Sequence, residues 1–210
     1  MSKGKPKNDP LFQKEEIDYK ISNVVASVSF NNNEKIDLVE ILDKIKGSEY
    51  NPETFPGLIL KIKNPKATFL IFSSAKMILT GLERVSDATK AVNKLIKILK
   101  NISITLEKPD IKIRNIVATI DLHSFVNLNT ATIMMENIMY EPEVFPALIY
   151  HMQDPKAVFL IFSTGKIVCT KTKKKSDLLI AISKLKQELK ELKVIRKEFE
   201  PTKEKEYLFI

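Results

Sequence analysis

The sequence predicts an α+β protein built from two tandem, pseudo-symmetric repeats that share one antiparallel sheet, with helices on one face only. Three observations predict it. First, Tyr50–Thr80 and Tyr140–Thr170, read at a shift of 90, agree at 17 of 31 positions, including YxPExFP, the Pro-Lys-Ala triplet and FLIFS. Upstream, SNVVAS (Ser22–Ser27) matches RNIVAT (Arg114–Thr119) at a shift of 92. A unit this long, present twice, is no solenoid and suits two like halves of a single body. Second, each half reads strand, helix, several strands, helix. Third, helices of that number cover only one side of a four- or five-stranded sheet.

The elements follow in order. Ile21–Phe30 alternates, is rich in β-branched residues and ends in an Asn-rich turn, as a strand does. Asp37 then precedes Leu38, Ile41, Leu42 and Ile45, whose i, i+3, i+4, i+7 spacing makes one face of a short helix. Leu58–Lys63, Ala67–Phe72 and Lys76–Gly81 are strands separated by the turn signals Asn64-Pro65 and Ser73-Ser74. Connections so short require antiparallel pairing. After Ser86, read as an N-cap, Ala88, Ala91, Val92, Leu95 and Leu99 form a buried stripe, with Lys90, Lys94, Lys97 and Lys100 turned outward. The second half repeats this with Ser176 as cap and Leu179, Ile182, Leu185 and Leu189 as the stripe. By these signals the repeats span 19–108 and 109–198. Residues 1–18 and 199–210, charged and Pro-containing, read as a flexible N-terminal extension and a charged tail.

Alternation sorts the strand residues into two sets. Phe69, Ile71, Met77 and Leu79 can pack under helices. Val25, Leu70, Phe72 and Ile78 then have nothing to cover them, and Asn23 and Thr80 share their side. The second copy repeats the set as Asn115, Val117, Leu160, Phe162, Val168 and Thr170. An apolar face of this extent, dotted with amides and hydroxyls and edged by lysines, marks a contact surface; a dimer or domain interface, or a core whose cover the pattern does not reveal, is also open at this point.

Composition narrows the partner. Net charge is +8 with a pI near 9.3, and 44% of the residues are hydrophobic, which suits a folded protein that meets a polyanion, nucleic acid or an acidic membrane surface. The single cysteine, Cys169, excludes an intramolecular disulfide framework and reads as a buried small hydrophobe. His123 and His151 are too few and too separated for a metal site or a general-base pair. No run reaches the roughly 18 apolar residues of a spanning helix, and the first residues lack a signal-peptide core. The reading is of a soluble intracellular protein with no membrane partner. Catalysis finds no support: the bare face carries no acids, and no phosphate loop or nucleophile constellation is present.

Small apolar groups, a few hydrogen-bonding side chains, paired phenylalanines and peripheral lysines suit the floor of a DNA minor groove, which offers mostly acceptors. Phenylalanines at the ends of such a surface can wedge between base steps. At these residues, NVV and NIV, YNPETFPGLI and YEPEVFPALI, FLIFSSAKMILT and FLIFSTGKIVCT, the chain resembles the TATA-box-binding proteins along nearly the whole of Ile21–Leu192. The details LHSFVN, ENIMYEPE and EKEYLF are similar to archaeal members, crenarchaeal ones above all. The resemblance implies a saddle with a curved sheet, helices on the convex side, and promoter DNA bound on the concave side. Bending of that DNA is a property of the family, for which it is the standard example, and is not established by spacing.

Carried over by position, the resemblance implies that Asn23 and Asn115 hydrogen-bond base acceptors at the centre, beside Thr80 and Thr170. Val25, Leu70, Ile78, Val117, Leu160 and Val168 line the groove floor. Phe55 with Phe72, and Phe145 with Phe162, are the intercalating pairs. Lys76 and Lys166 contact phosphate, and Lys61 and His151 stand where the family usually has arginine. Glu141 and Glu143, in the second YxPE loop, match the stirrup offered to transcription factor B, which brings RNA polymerase. No cofactor is implied. The resemblance implies a monomer on double-stranded TATA-box DNA, in the archaeal cytoplasm or, for a eukaryotic source, the nucleus. A divergent paralog or an accessory nucleic-acid-binding protein that competes at promoters without supporting initiation is the alternative; Lys61 and His151 lose the guanidinium fork, Ala75 replaces the usual turn glycine, and Lys171 stands where glycine commonly follows the threonine. The helix lysines are either plain solvent face or a docking surface. Lys173–Lys175 is either a solvated loop or a phosphate clamp.

Overall fold

The computed structural model describes residues 18–30 and 35–197. The predicted terminal extensions, apart from Asp18, and the Asn-rich turn after Phe30 lie outside them. In chain order the elements are β1 (Tyr19–Ser29), α1 (Leu38–Lys44), β2 (Ser48–Glu49), β3 (Leu58–Ile62), β4 (Ala67–Ile71), β5 (Met77–Leu82) and α2 (Asp87–Lys100). The second half follows with β6 (Asp110–Asp121), β7 (Phe125–Val126), α3 (Leu128–Met134), β8 (Ile138–Met139), β9 (Ala147–Met152), β10 (Ala157–Phe162), β11 (Lys166–Thr172), α4 (Lys175–Glu191) and β12 (Ile195–Arg196).

Ten strands form one sheet in the order β2-β3-β4-β5-β1-β6-β11-β10-β9-β8, and every pairing is antiparallel. The order is a palindrome of the two halves, so the pseudo-two-fold axis passes between β1 and β6, near Val24 paired with Ile116. Strands β7 and β12 make a separate two-stranded pairing. This is the predicted α+β saddle: one curved sheet with two repeats, the helices on its convex face. No helix among the described residues is long and apolar enough to cross a membrane.

Local chemistry explains the helices. Asp37 caps α1 by accepting from the Val39 and Glu40 amides, and Asn127 caps α3 by accepting from Thr130, each satisfying donors that the first turn leaves open. In α2 the stripe Ala88, Ala91, Val92, Leu95 and Leu99 is buried as expected. Two caps are not as expected. Ser86 has helical backbone angles and makes no side-chain capping bond. Ser176 lies inside the first turn of α4, where its hydroxyl meets Asp177, because the helix starts at Lys175, two residues before a Ser176 cap would start it. The stripe of α4 is Leu178, Ala181, Ile182, Leu185 and Leu189; Leu179 is only half-buried, since Leu178 holds the position four residues before Ile182 on the core side.

Two apolar clusters result, one under each half, with Phe69 and Phe159 fully buried in them. Ile21, Val85 and Ile113 pack against both. The halves are thereby joined by shared side chains as well as by the β1–β6 ladder.

Candidate nucleic-acid interface

The opposite face of the sheet carries the predicted set. Val24, Ala26, Phe69, Ile71, Met77 and Leu79 are buried, so their strand neighbours Asn23, Val25, Leu70, Phe72, Ile78 and Thr80 stand on the other side, half-buried or, for Ile78, exposed. Ile116, Ala118, Phe159, Ile161, Ile167 and Cys169 are buried in the same way, which leaves Asn115, Val117, Leu160, Phe162, Val168 and Thr170 on the bare side. Burial pushes the Cys169 thiol up to about 12, so that residue is an inert part of the core.

The central amides are oriented by bulges. In β5 Leu79 pairs with Ala26 and Leu82 with Val24, so Thr80 and Gly81 together oppose Val25. In β11 Cys169 pairs with Ala118 and Thr172 with Ile116, so Thr170 and Lys171 together oppose Val117. Two residues facing one is a β-bulge, and in both bulges the second of the two is left-handed: Gly81 has φ +84° and Lys171 φ +70°. The amide nitrogens freed from the ladder then point at the neighbouring asparagines. Asn23 Oδ1 accepts from Gly81 N at 2.8 Å and from Thr80 Oγ1 at 3.2 Å. Asn115 Oδ1 accepts from Lys171 N at 2.8 Å and from Thr170 Oγ1 at 3.2 Å. Asn115 Nδ2 also donates to Thr170 Oγ1 at 3.1 Å. With each oxygen held by a backbone amide, the Nδ2 of Asn23 and the second hydrogen of Asn115 Nδ2 are the donors left for a ligand, suited to the acceptors of a minor-groove floor.

Aromatic pairs stand toward both ends. Phe55 and Phe72 meet edge to face with centroids 5.8 Å apart, and Phe145 and Phe162 do so at 6.1 Å. Phe72 directly follows β4 and Phe162 ends β10, whereas Phe55 and Phe145 come from the loops before β3 and β9. Gly57 makes room for the first pair: a Cβ there would lie 2.7 Å from the Phe55 ring. Its counterpart Ala147 is buried, and in that half Phe145 is 39% exposed.

The lysines differ between halves. Lys76 makes no ion pair among the described residues, and Lys61 pairs with Glu49 at 3.0 Å. Lys166, expected to contact phosphate, is paired with Asp121 in the free protein, while His151 is exposed. The Lys166 hydrogen bond, then the His123 amide, hold the Asp121 carboxyl below its usual range. The stability this adds is present above the ordinary carboxylate pKa of about 3.9 and is lost as pH falls through the depressed value. His123 also reaches Asp18 at 2.8 Å, so Asp18, Asp121 and His123 converge, with one ligand-capable atom from each within 4.8 Å of the others. Sequence reasoning missed this convergence, because Asp18 is distant in the chain. Asp121→Asn should release Lys166 and remove a negative charge beside it. The expected outcome is tighter duplex binding and a salt slope steeper by about 0.9, read from anisotropy titrations at several salt concentrations.

Two cations on the bare face were also missed. Ile113 packs against the core and Ile116 is buried, with a register shift in β6 between them, so both Arg114 and Asn115 emerge on the bare side. Arg114 Nε donates to Ser27 Oγ at 2.7 Å. Lys171 joins it through the bulge described above. The available signal was the alignment of Lys171 with Gly81, which implies a bulge and hence a change of face. Glu141 and Glu143 are exposed in the loop between β8 and β9.

A family model described as transcription factor TFIID, or TATA-binding protein (TBP), matches residues 18–102 and 110–192. A TATA-box-binding protein of Pyrobaculum aerophilum is 45% identical over 178 residues, spanning 84% of this chain and 88% of its own length. One from Sulfolobus acidocaldarius is 42% identical over 200 residues, 93% and 98% of the two chains, and one from Archaeoglobus fulgidus is 46% identical over 176 residues, 82% and 95%. Among solved structures, Methanococcus jannaschii TBP superimposes with a TM-score of 0.74 at 42% identity, covering 82% of this chain and 98% of that one.

Proposed function

The chain belongs to the TATA-binding protein family, and from that membership we propose that it is a general transcription initiation factor that binds the minor groove of TATA-box promoter DNA. Members of this family are DNA-binding transcription factors and not enzymes. The observation that carries the reading is the bare sheet face, with two oriented asparagine amides at its centre and an aromatic pair toward each end. Residues 19–108 and 109–198 are the two repeats, each supplying half of the groove contact. Val25, Val117, Leu70, Leu160, Ile78 and Val168 lie against sugars and base edges. Phe55 with Phe72 and Phe145 with Phe162 enter the base stack, while Lys61, Lys76, Lys166 and His151 face the phosphates. The protein acts as a monomer on chromosomal DNA in the cytoplasm.

Recruitment of transcription factor B, and through it RNA polymerase, belongs to the second half. Asp43, Lys44, Glu49 and Thr54 of the first half are replaced by Ile133, Met134, Met139 and Val144, all exposed apolar residues. Together with Glu141 and Glu143 they give that end apolar area and two carboxylates, a combination the first half lacks. Exposed apolar groups so placed support a protein partner.

The test compares a TATA duplex with its matching single strand. The expected result is strong preference for the duplex, an affinity falling with salt by about 0.9 in log slope per phosphate contact, and addition of transcription factor B to the complex. Glu141→Arg with Glu143→Arg should abolish that addition. Equal affinity for the single strand would overturn the reading, because stacking on exposed aromatics is also how single strands are held.

A further inference from the structure

The two halves present the same apolar floor but not the same charge on it. Beside Asn115 stand Arg114 and Lys171; beside Asn23, at the equivalent positions, stand Ser22 and Gly81. All four lie at register shifts or bulges that turn an extra residue to the bare face. On the first half Ser22 is a neutral hydroxyl bonded to the Val117 carbonyl, and Gly81 has no side chain. On the second half both places hold a cation that makes no salt bridge among the described residues. Lys171 keeps a left-handed backbone to be there, φ +70°, a conformation disfavoured outside glycine.

The outer cations run the other way. Lys76 has no carboxylate partner among the described residues, whereas its counterpart Lys166 is neutralised by Asp121; Lys61, itself paired with Glu49, is matched by His151. The second half has therefore exchanged charge at the rim for charge on the floor. The distinction matters because phosphates line the rim of any duplex, but potential on the groove floor depends on sequence. It is most negative where the minor groove is narrow, as in runs of A·T with all adenines on one strand, and such grooves draw in arginine and lysine.

Resting on the promoter-binding reading above, we propose that Arg114 and Lys171 make the second half select the narrower-grooved half of an AT-rich site, and so set the direction in which this pseudo-symmetric protein sits on DNA. Lys20 and Lys112, equivalent at the shift of 92, also stand on this side and are each paired with a carboxylate, Glu83 and Asp110, so they do not tell the two directions apart.

The test uses the full chain with Thr54→Cys, in the exposed first-half loop, carrying a tethered iron chelate that cuts nearby DNA. Cys169 is buried and does not compete for the label. The duplex carries a site whose one half is an A-run and whose other half alternates T and A, between identical flanks. Cutting is expected mainly at the end away from the A-run, by about fivefold. Arg114→Ser with Lys171→Gly, the residues of the first half, should weaken binding, flatten the salt slope by about 1 to 2 and bring the cutting ratio close to one. Ser22→Arg with Gly81→Lys, which gives both halves the same charge, should also bring it close to one; a Cβ at Gly81 meets only atoms at 3.8 Å or beyond. An even ratio in the parent chain, or a skewed ratio that survives both pairs of substitutions, overturns the proposal and leaves promoter binding standing. Absence of any complex with the duplex overturns both.

Discussion

Phe72→Ala combined with Phe162→Ala is expected to yield a folded protein that does not bend a TATA duplex and holds it about a hundredfold or more weakly. The argument starts from what the rings do in the free protein. Both are half-buried on the ligand side of the sheet, while Phe69 and Phe159, three residues earlier, are fully buried on the helix side. Removing the outer rings therefore leaves both apolar clusters intact. Each ring is braced edge to face by a loop phenylalanine, and such pairs are worth about 0.5–1.5 kcal/mol beyond the area they bury. The brace keeps the ring upright on the sheet.

On DNA the balance is narrow. Opening a base step costs a few kcal/mol, and fully burying a phenylalanine returns about 1.5–3 kcal/mol. Two rings supply about 3–6 kcal/mol, which converts to roughly 10²- to 10⁴-fold in affinity at 1.4 kcal/mol per decade. Alanine at both positions leaves the unstacking cost without its return, so the straight duplex becomes the better ligand. Energy transfer between dyes at the two DNA ends reads the bend, and circular dichroism checks the fold. Undiminished transfer in the double variant would remove intercalation from the account. Phe55→Ala and Phe145→Ala should each do less, because they remove the brace and not the wedge.

How much of this was legible in the sequence varies with the range of the interaction that decides it. The core of α2 was legible because its stripe is a local repeat, and the start of α1 after Asp37 was legible for the same reason. The two faces of β4 and β5 were legible because alternation alone assigns them. The bulges were not. They arise from strands pairing across the sheet at unequal length, and they moved Arg114 and Lys171 onto the floor. The capture of Lys166 was hidden for a related reason: Asp121 is 45 residues away in the chain and reaches it only through the β6–β11 ladder. Leu178 displaced Leu179 because where α4 begins sets the phase of its stripe. The two-residue edge strands β2 and β8 carry too few side chains to leave a pattern.

Gly165→Ala is the substitution expected to damage the fold most for its size, even though the equivalent turn of the first half already has alanine. Both residues are left-handed, Ala75 at φ +59° and Gly165 at φ +78°, and both donate their amide to the phenylalanine three residues back, Phe72 or Phe162, at 3.0 Å. Backbone conformation thus does not separate them. Space does. Ala75 sits in the first apolar cluster with its methyl buried, while a Cβ on Gly165 would lie 1.8 Å from the Ser124 carbonyl oxygen. That carbonyl belongs to the backbone between β6 and β7, and Leu122 N donates to the Gly165 carbonyl at 3.1 Å, so the two segments are pinned together. Relief requires a backbone to move. The left-handed strain of about 1–2 kcal/mol and an overpacking cost of about 1–3 kcal/mol lower the midpoint of thermal unfolding by roughly 10 °C for a chain of this length. The turn also sets the position of Phe162 before it and of Lys166 after it, so DNA bending should weaken as well. Scanning calorimetry of Gly165→Ala beside Ala75→Gly decides the matter: the first is expected to fall by that amount and the second to stay within about 1 kcal/mol of the parent, the scale of a glycine-for-alanine exchange at a permissive site. A Gly165→Ala midpoint indistinguishable from the parent would mean that the contact between the turn and Ser124 is looser than its geometry implies.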